Sequence, residues 1–105
     1  MPFVKITTLG ELPETGVAAF EYAGRRIAVY RAGATVYATT DICSHEHAYL
    51  SEGWLDPDDC TIECPLHGGA VEIKTGLPAN FPIVVPSTTY RTRVVGDEVQ
   101  IGLPK

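Results

Sequence analysis

Short β-branched stretches, glycine and proline set between them, and no sustained helical period predict an all-β fold for this 105-residue chain. Residues 3–8, Phe-Val-Lys-Ile-Thr-Thr, alternate apolar and polar side chains, as a half-buried strand requires. Val17 to Tyr22 and Arg26 to Tyr30 flank Ala23-Gly24 and read as a hairpin. Thr35 to Thr40 follows a further turn at Ala32-Gly33-Ala34. Near the far end, Tyr90 to Val95 and Glu98 to Leu103 flank Gly96-Asp97, a two-residue hairpin signal. Together these segments predict a small antiparallel β-sandwich or barrel. The stretch from Asp41 to about Gly69 behaves differently, its pattern broken by turns.

Size and charge narrow the function. The length holds one domain, and 45% hydrophobic residues supply enough apolar surface for a core. A core this small gains from a stapling cofactor. Against 13 Asp and Glu stand 8 Lys and Arg, a net charge of −5, which excludes a nucleic-acid binder that must neutralise phosphates. No apolar run approaches the roughly 20 residues that span a bilayer. Met-Pro-Phe-Val-Lys at the start lacks a basic region followed by an apolar stretch, so a cytoplasmic chain outside any membrane is expected. The 3 cysteines, Cys43, Cys60 and Cys64, do not make a disulfide framework.

All 3 histidines and all 3 cysteines fall between Asp41 and Gly69. Cys43-Ser44-His45 and Cys64-Pro65-Leu66-His67 each offer one thiolate and one imidazole, enough together for a closed metal site. Gly68 and Gly69 allow close backbone approach, and Pro65 stiffens the second loop. Structural zinc is one occupant. Zinc modules, however, pair cysteine with cysteine and histidine with histidine. Mixed loops suit a two-iron cluster in which one iron takes both thiolates and the other both imidazoles.

These two loops resemble the ligand signature of Rieske [2Fe–2S] proteins. Leu50-Ser51-Glu52-Gly53, Thr75-Gly76, Pro82 and Tyr90 extend the resemblance, which runs along essentially the whole chain. In length and plan the chain is similar to the small Rieske ferredoxins of bacterial aromatic-ring-hydroxylating dioxygenase systems. The resemblance implies a β-sandwich from residues 1–40 and 74–105, interrupted by a cluster-binding subdomain at 41–73. It implies one [2Fe–2S] cluster per chain held by Cys43, His45, Cys64 and His67, with the histidine edges as the electron exit. Partners implied are a flavoprotein ferredoxin reductase and a terminal Rieske oxygenase, met by a monomer that is not itself an enzyme. A Rieske-like small subunit of an NADH-dependent nitrite reductase is the nearest rival, and a zinc-stabilised interaction module the next.

Two departures from the family pattern stand out: His47 beside the first loop, and Val71-Glu72 after the second. Other residues have plainer expectations. Cys60 reads as a buried free thiol sharing a strand face with Ile62 and Cys64, and His47 as a solvated loop histidine. Trp54 reads as core or loop packing and Asp56-Pro57-Asp58-Asp59 as a turn. Glu11, Glu14, Glu46, Glu52 and the 56–59 acids are candidates for a docking face. Arg25, Arg26, Arg91 and Arg93 are too few for nucleic acid, and no hydrolase or nucleotide-binding motif is present.

Overall fold

Ile27-Ala28-Val29-Tyr30 is an unbroken apolar run, and such a run needs a strand covered on both faces. The computed structural model describes residues 3–42, 48–65, 69–79, 83 and 86–102. Its strands are β1 (Phe3–Thr8), β2 (Thr15–Tyr22), β3 (Arg25–Ala32), β4 (Thr35–Thr40), β5 (Trp54–Asp56), β6 (Thr61–Glu63), β7 (Ala70–Glu72), β8 (Thr89–Val95) and β9 (Glu98–Gly102). Six of them form one sheet in the order β1-β9-β8-β4-β3-β2, and β5-β6-β7 form a second sheet of three. Every pairing is antiparallel.

The apolar run sits in β3. Ile27 and Val29 enter one buried cluster with Val36, Ala38, Tyr90, Val99 and Ile101. Ala28 and Tyr30 point the other way, into a cluster with Leu50, Ile62, Cys64, Val71 and Ile83. The second cluster joins the large sheet to the small one, because the inward row Leu55, Ile62 and Val71 packs against it.

The strands at 3–8 and 35–40 agree with expectation residue for residue. The hairpin starts at Thr15 and returns through Ala32, so it is longer than its apolar stretches suggest. The final hairpin begins at Thr89 and is described as far as Gly102, Leu103 lying outside the described residues. The turn-rich middle contains β5, β6 and β7, each of 3 residues, too short to display a period.

Two features tie this frame together. A Cβ built on Gly53 would overlap the Glu63 carbonyl oxygen, so the chain leaving the 3-10 turn Leu50–Glu52 crosses directly over the end of β6. In the core, the Thr39 hydroxyl donates to the Thr40 carbonyl at 2.8 Å and accepts from the Tyr30 hydroxyl at 2.9 Å. Burial holds the Tyr30 hydroxyl above the ordinary tyrosine range.

Two outcomes follow from these contacts. Gly53→Ala is expected to destabilise the fold by about 2 kcal/mol or more in urea unfolding, whereas Gly10→Ala, with nothing within 4 Å of its added carbon, stays near neutral. Tyr30→Phe should cost about 1 kcal/mol at neutral pH. The raised Tyr30 value keeps the folded state protonated while the unfolded chain ionises, so stability falls as pH rises beyond about 10. Unfolding midpoints measured from pH 7 upward should lose that component of the fall in Tyr30→Phe.

Candidate metal centre

β6 and β7 pair as far as Glu63 and Ala70, and the Cys64 N–H then donates to the Gly69 carbonyl at 2.7 Å. Cys64 and Gly69 therefore close a hairpin loop that carries Pro65 and, at 66–68, residues outside the described set. Cys64 is fully buried in the cluster with Leu50, Ile62 and Val71. A thiol there is shielded from water at the root of the loop. His67 falls on the residues not described.

The first loop is rooted differently. Ile42 and Tyr49 form an isolated antiparallel bridge, and the Leu50 N–H donates to the Asp41 carbonyl at 2.6 Å. Asp41 is itself fully buried. Its Oδ2 accepts from Arg26 Nε at 2.6 Å and from the Ser51 hydroxyl at 2.9 Å, while its Oδ1 accepts from the Ser51 N–H at 2.7 Å. The Arg26 guanidinium stacks 3.7 Å above the Tyr49 ring, and the Asp41 bond holds its proton more firmly than usual. Residues 43–47, with Cys43, His45 and His47, lie outside the described set. No role for Asp41 was read from the sequence, and Ser51 entered there only as part of Leu50-Ser51-Glu52-Gly53. The available signal was an acid directly after a strand, two positions before a cysteine.

The two roots adjoin. Leu50 is held by Asp41 at the first root, and Gly53, three positions on, touches the Glu63 backbone next to Cys64 at the second. Ala48, Leu50 and Cys64 share one buried cluster. A third segment is fixed nearby by Gly76. Its φ of 79° is open to glycine, and a Cβ there would overlap the Ser87 carbonyl oxygen. The Ser87 N–H returns to the Gly76 carbonyl at 2.7 Å. Pro82 is outside the described residues; Tyr90 is buried near the start of β8, paired with Ala38.

Other expectations meet the structure unevenly. The Asp56 carboxylate accepts from the Asp58 and Asp59 N–H groups at 3.0 and 3.1 Å, so the acid run is a turn. Cys60 follows in that turn with φ 55°, and its Sγ lies 3.7 Å from the Pro57 carbonyl oxygen. It packs against the same cluster as Ile62 and Cys64, but half-buried, because the turn lifts it off the strand. Trp54 is 62% exposed, contrary to the packing expected of it. Leu55 beside it takes the inward position, and strand alternation turns Trp54 out. Val71 is buried in β7, and Glu72 accepts from the Thr75 hydroxyl at 3.0 Å. Glu11 and Glu14 sit between β1 and β2, whereas Glu52 and the 56–59 acids flank β5; all are exposed. Glu46 is outside the described residues. Arg26 and Arg93 are engaged internally, Arg93 lying 4.2 Å over the Phe3 ring. No helix among the described residues is long and apolar enough to cross a membrane.

Comparison with known proteins bears directly on these loops. Residues 3–91 match the model of the Rieske [2Fe-2S] domain. The anthranilate 1,2-dioxygenase ferredoxin subunit of Burkholderia cepacia is 41% identical over 95 residues, 90% of this chain and 86% of that protein. The ferredoxin of carbazole 1,9a-dioxygenase from Nocardioides aromaticivorans IC177 superposes with a TM-score of 0.94 at 37% identity, covering 100% of both chains. A chain in the complex of reduced oxygenase and oxidized ferredoxin in carbazole 1,9a-dioxygenase superposes with a TM-score of 0.86 at 39% identity, over 94% of this chain and 91% of that one. Two adjoining loop roots, one holding a buried cysteine, thus lie inside a match that runs from β1 into β8, and this chain belongs to the Rieske [2Fe-2S] domain family.

Proposed function

We propose that this protein is a one-electron carrier of an aromatic-ring-hydroxylating dioxygenase system, taking electrons from a flavoprotein reductase and delivering them to the terminal oxygenase. The observation that carries this reading is the 41% identity, over nine-tenths of the chain, to a protein named as a dioxygenase ferredoxin subunit. That identity favours a dioxygenase host over a nitrite reductase. A carrier of this kind works as a cytoplasmic monomer, since it must show one face to two partners in turn.

Cys43 and Cys64 are assigned to one iron of a Rieske [2Fe–2S] cluster, and His45 and His67 to the other. A buried Cys64 at a loop root, beside the root of the loop carrying Cys43 and His45, suits that assignment. When bound, the cluster supplies reversible one-electron chemistry, with a potential at the low end of the Rieske range of about −150 to +300 mV. The low placement follows from His67-Gly68-Gly69-Ala70-Val71, which offers no side-chain hydroxyl toward cluster sulfur. Leu50, Ile62 and Val71 exclude water from the thiolate side. The division into a basal sandwich at 1–40 and 74–105 and a cluster-binding part at 41–73 is supported by the small sheet, which comes wholly from the middle.

Ile42, Tyr49 and Trp54 are large apolar side chains left exposed at the roots of the two loops. A partner that approaches the histidine edges covers them, and weak redox interfaces are small and steered by charge.

Absorption and EPR spectra before and after dithionite test the reading. A red-brown protein that bleaches, with an EPR signal in the reduced state alone and matched iron and sulfide, is expected; a colourless protein with stoichiometric zinc overturns it. His45→Ala or His67→Ala should abolish the cluster and Cys60→Ser should keep it, so an intact spectrum in either histidine variant refutes the ligand assignment. Trp54→Ala should slow stopped-flow electron delivery to the oxygenase about tenfold, the loss of about 1.4 kcal/mol at a contact residue, with the potential unchanged.

A further inference from the structure

Among the described residues, Asp41 is the only charged side chain that is buried, and it stands two positions before Cys43. We propose that the Asp41–Arg26 pair positions the first ligand loop and sets the charge beside it, Asp41 lowering the reduction potential of the site and Arg26 raising it. The inference rests on the cluster reading above.

The geometry separates this pair from an ordinary ion pair. Three donors from two elements converge on one carboxylate: Arg26 Nε from β3, and the N–H and hydroxyl of Ser51 from the Leu50–Glu52 turn. The main chain of Asp41 adds two bonds to the same elements, its N–H donating to the Arg26 carbonyl at 3.0 Å and its carbonyl accepting from Leu50. Position 41 and positions 50–51 are thereby locked together, and these are the two ends of the segment that carries Cys43 and His45. An apolar residue at 41 would pack, but it would leave Ser51 and Arg26 without their acceptor. Buried ion pairs contribute little net stability compared with apolar packing, and their best-attested use is to fix one arrangement. Here the arrangement fixed is the gap that the loop must bridge.

The charge effect follows from the same contacts. One residue of chain separates Asp41 from Cys43, so the charge of Asp41 is tied to the root of the proposed ligand loop. The negative member of the pair is fully buried, while the Arg26 side chain is 31% exposed and partly screened by solvent. A reduced cluster carries one more negative charge than an oxidised one, so each member of the pair acts on the two states unequally. Removing the carboxylate leaves a cation near the loop and favours the reduced state. Removing the guanidinium leaves the carboxylate without its counter-charge and favours the oxidised state.

The test uses the cluster-loaded full chain carrying Asp41→Asn, Arg26→Gln, Arg26→Lys or Ser51→Ala, with EPR-monitored redox titration and the rate of iron loss to a chelator as readouts. The potential should rise in Asp41→Asn, fall in Arg26→Gln and hold in Arg26→Lys. Iron loss should quicken about tenfold or more in Asp41→Asn and Ser51→Ala, as expected when an outer partner of a ligand loop is removed. Loosening alone shifts the two charge variants in the same direction, so shifts of one sign, or none, overturn the proposal. Should Asp41→Asn fail to fold, Arg26→Gln against Arg26→Lys carries the same decision. A wild-type protein with no cluster overturns the function reading as well, whereas a normal wild-type cluster with variants that do not diverge overturns this inference alone.

Discussion

Burial of β3 on both faces is the constraint from which the rest of the molecule is arranged. Its four central residues are without solvent exposure, and they alternate between two apolar clusters. One face needs β8 and β9, brought back from the far end of the chain, to cover Ile27 and Val29. The other face needs the small sheet and the Leu50 turn to cover Ala28 and Tyr30. The small sheet does not stand alone, since its inward row has no other surface to bury. Its position, and with it the position of Cys64, is set by apolar packing against the back of the large sheet.

The ligands proposed on two separated loops demand more than hydrophobic packing, which is tolerant of small displacements. A metal group is held only if its donors sit within tenths of an ångström of their places. Directional contacts appear where this matters. Asp41 fixes the first root through hydrogen bonds, the Cys64–Gly69 bond fixes the second, and Gly53 sets the spacing by allowing backbone against backbone. The apolar cluster brings the roots together, and these polar and steric contacts decide how closely they meet.

The sequence was most informative where the physics is local. Alternation at residues 3–8 and the turn residues at 23–24 and 96–97 marked strands that the structure contains, because period and turn chemistry act within a few residues. Three-residue strands carry no readable period, so β5, β6 and β7 were hidden in a stretch of turns. Trp54 was misjudged because its inward or outward sense depends on the register of β5 with β6, which is a tertiary fact. Asp41 was missed because its donors are 15 positions before it and 10 after it, and nothing local announces that they converge.

Surface and site also belong together. A carrier must dock, transfer and release, so its contact face has to bind weakly. Exposed Ile42, Tyr49 and Trp54 offer apolar surface at the roots of the loops, on a chain of net charge −5. Apolar residues exposed singly on a charged surface are tolerable for solubility and remain available for contact. Arg26 fits this balance. Its guanidinium pairs with Asp41 and lies over the Tyr49 ring, so one side chain braces both the buried carboxylate and an exposed aromatic at the root of the first loop.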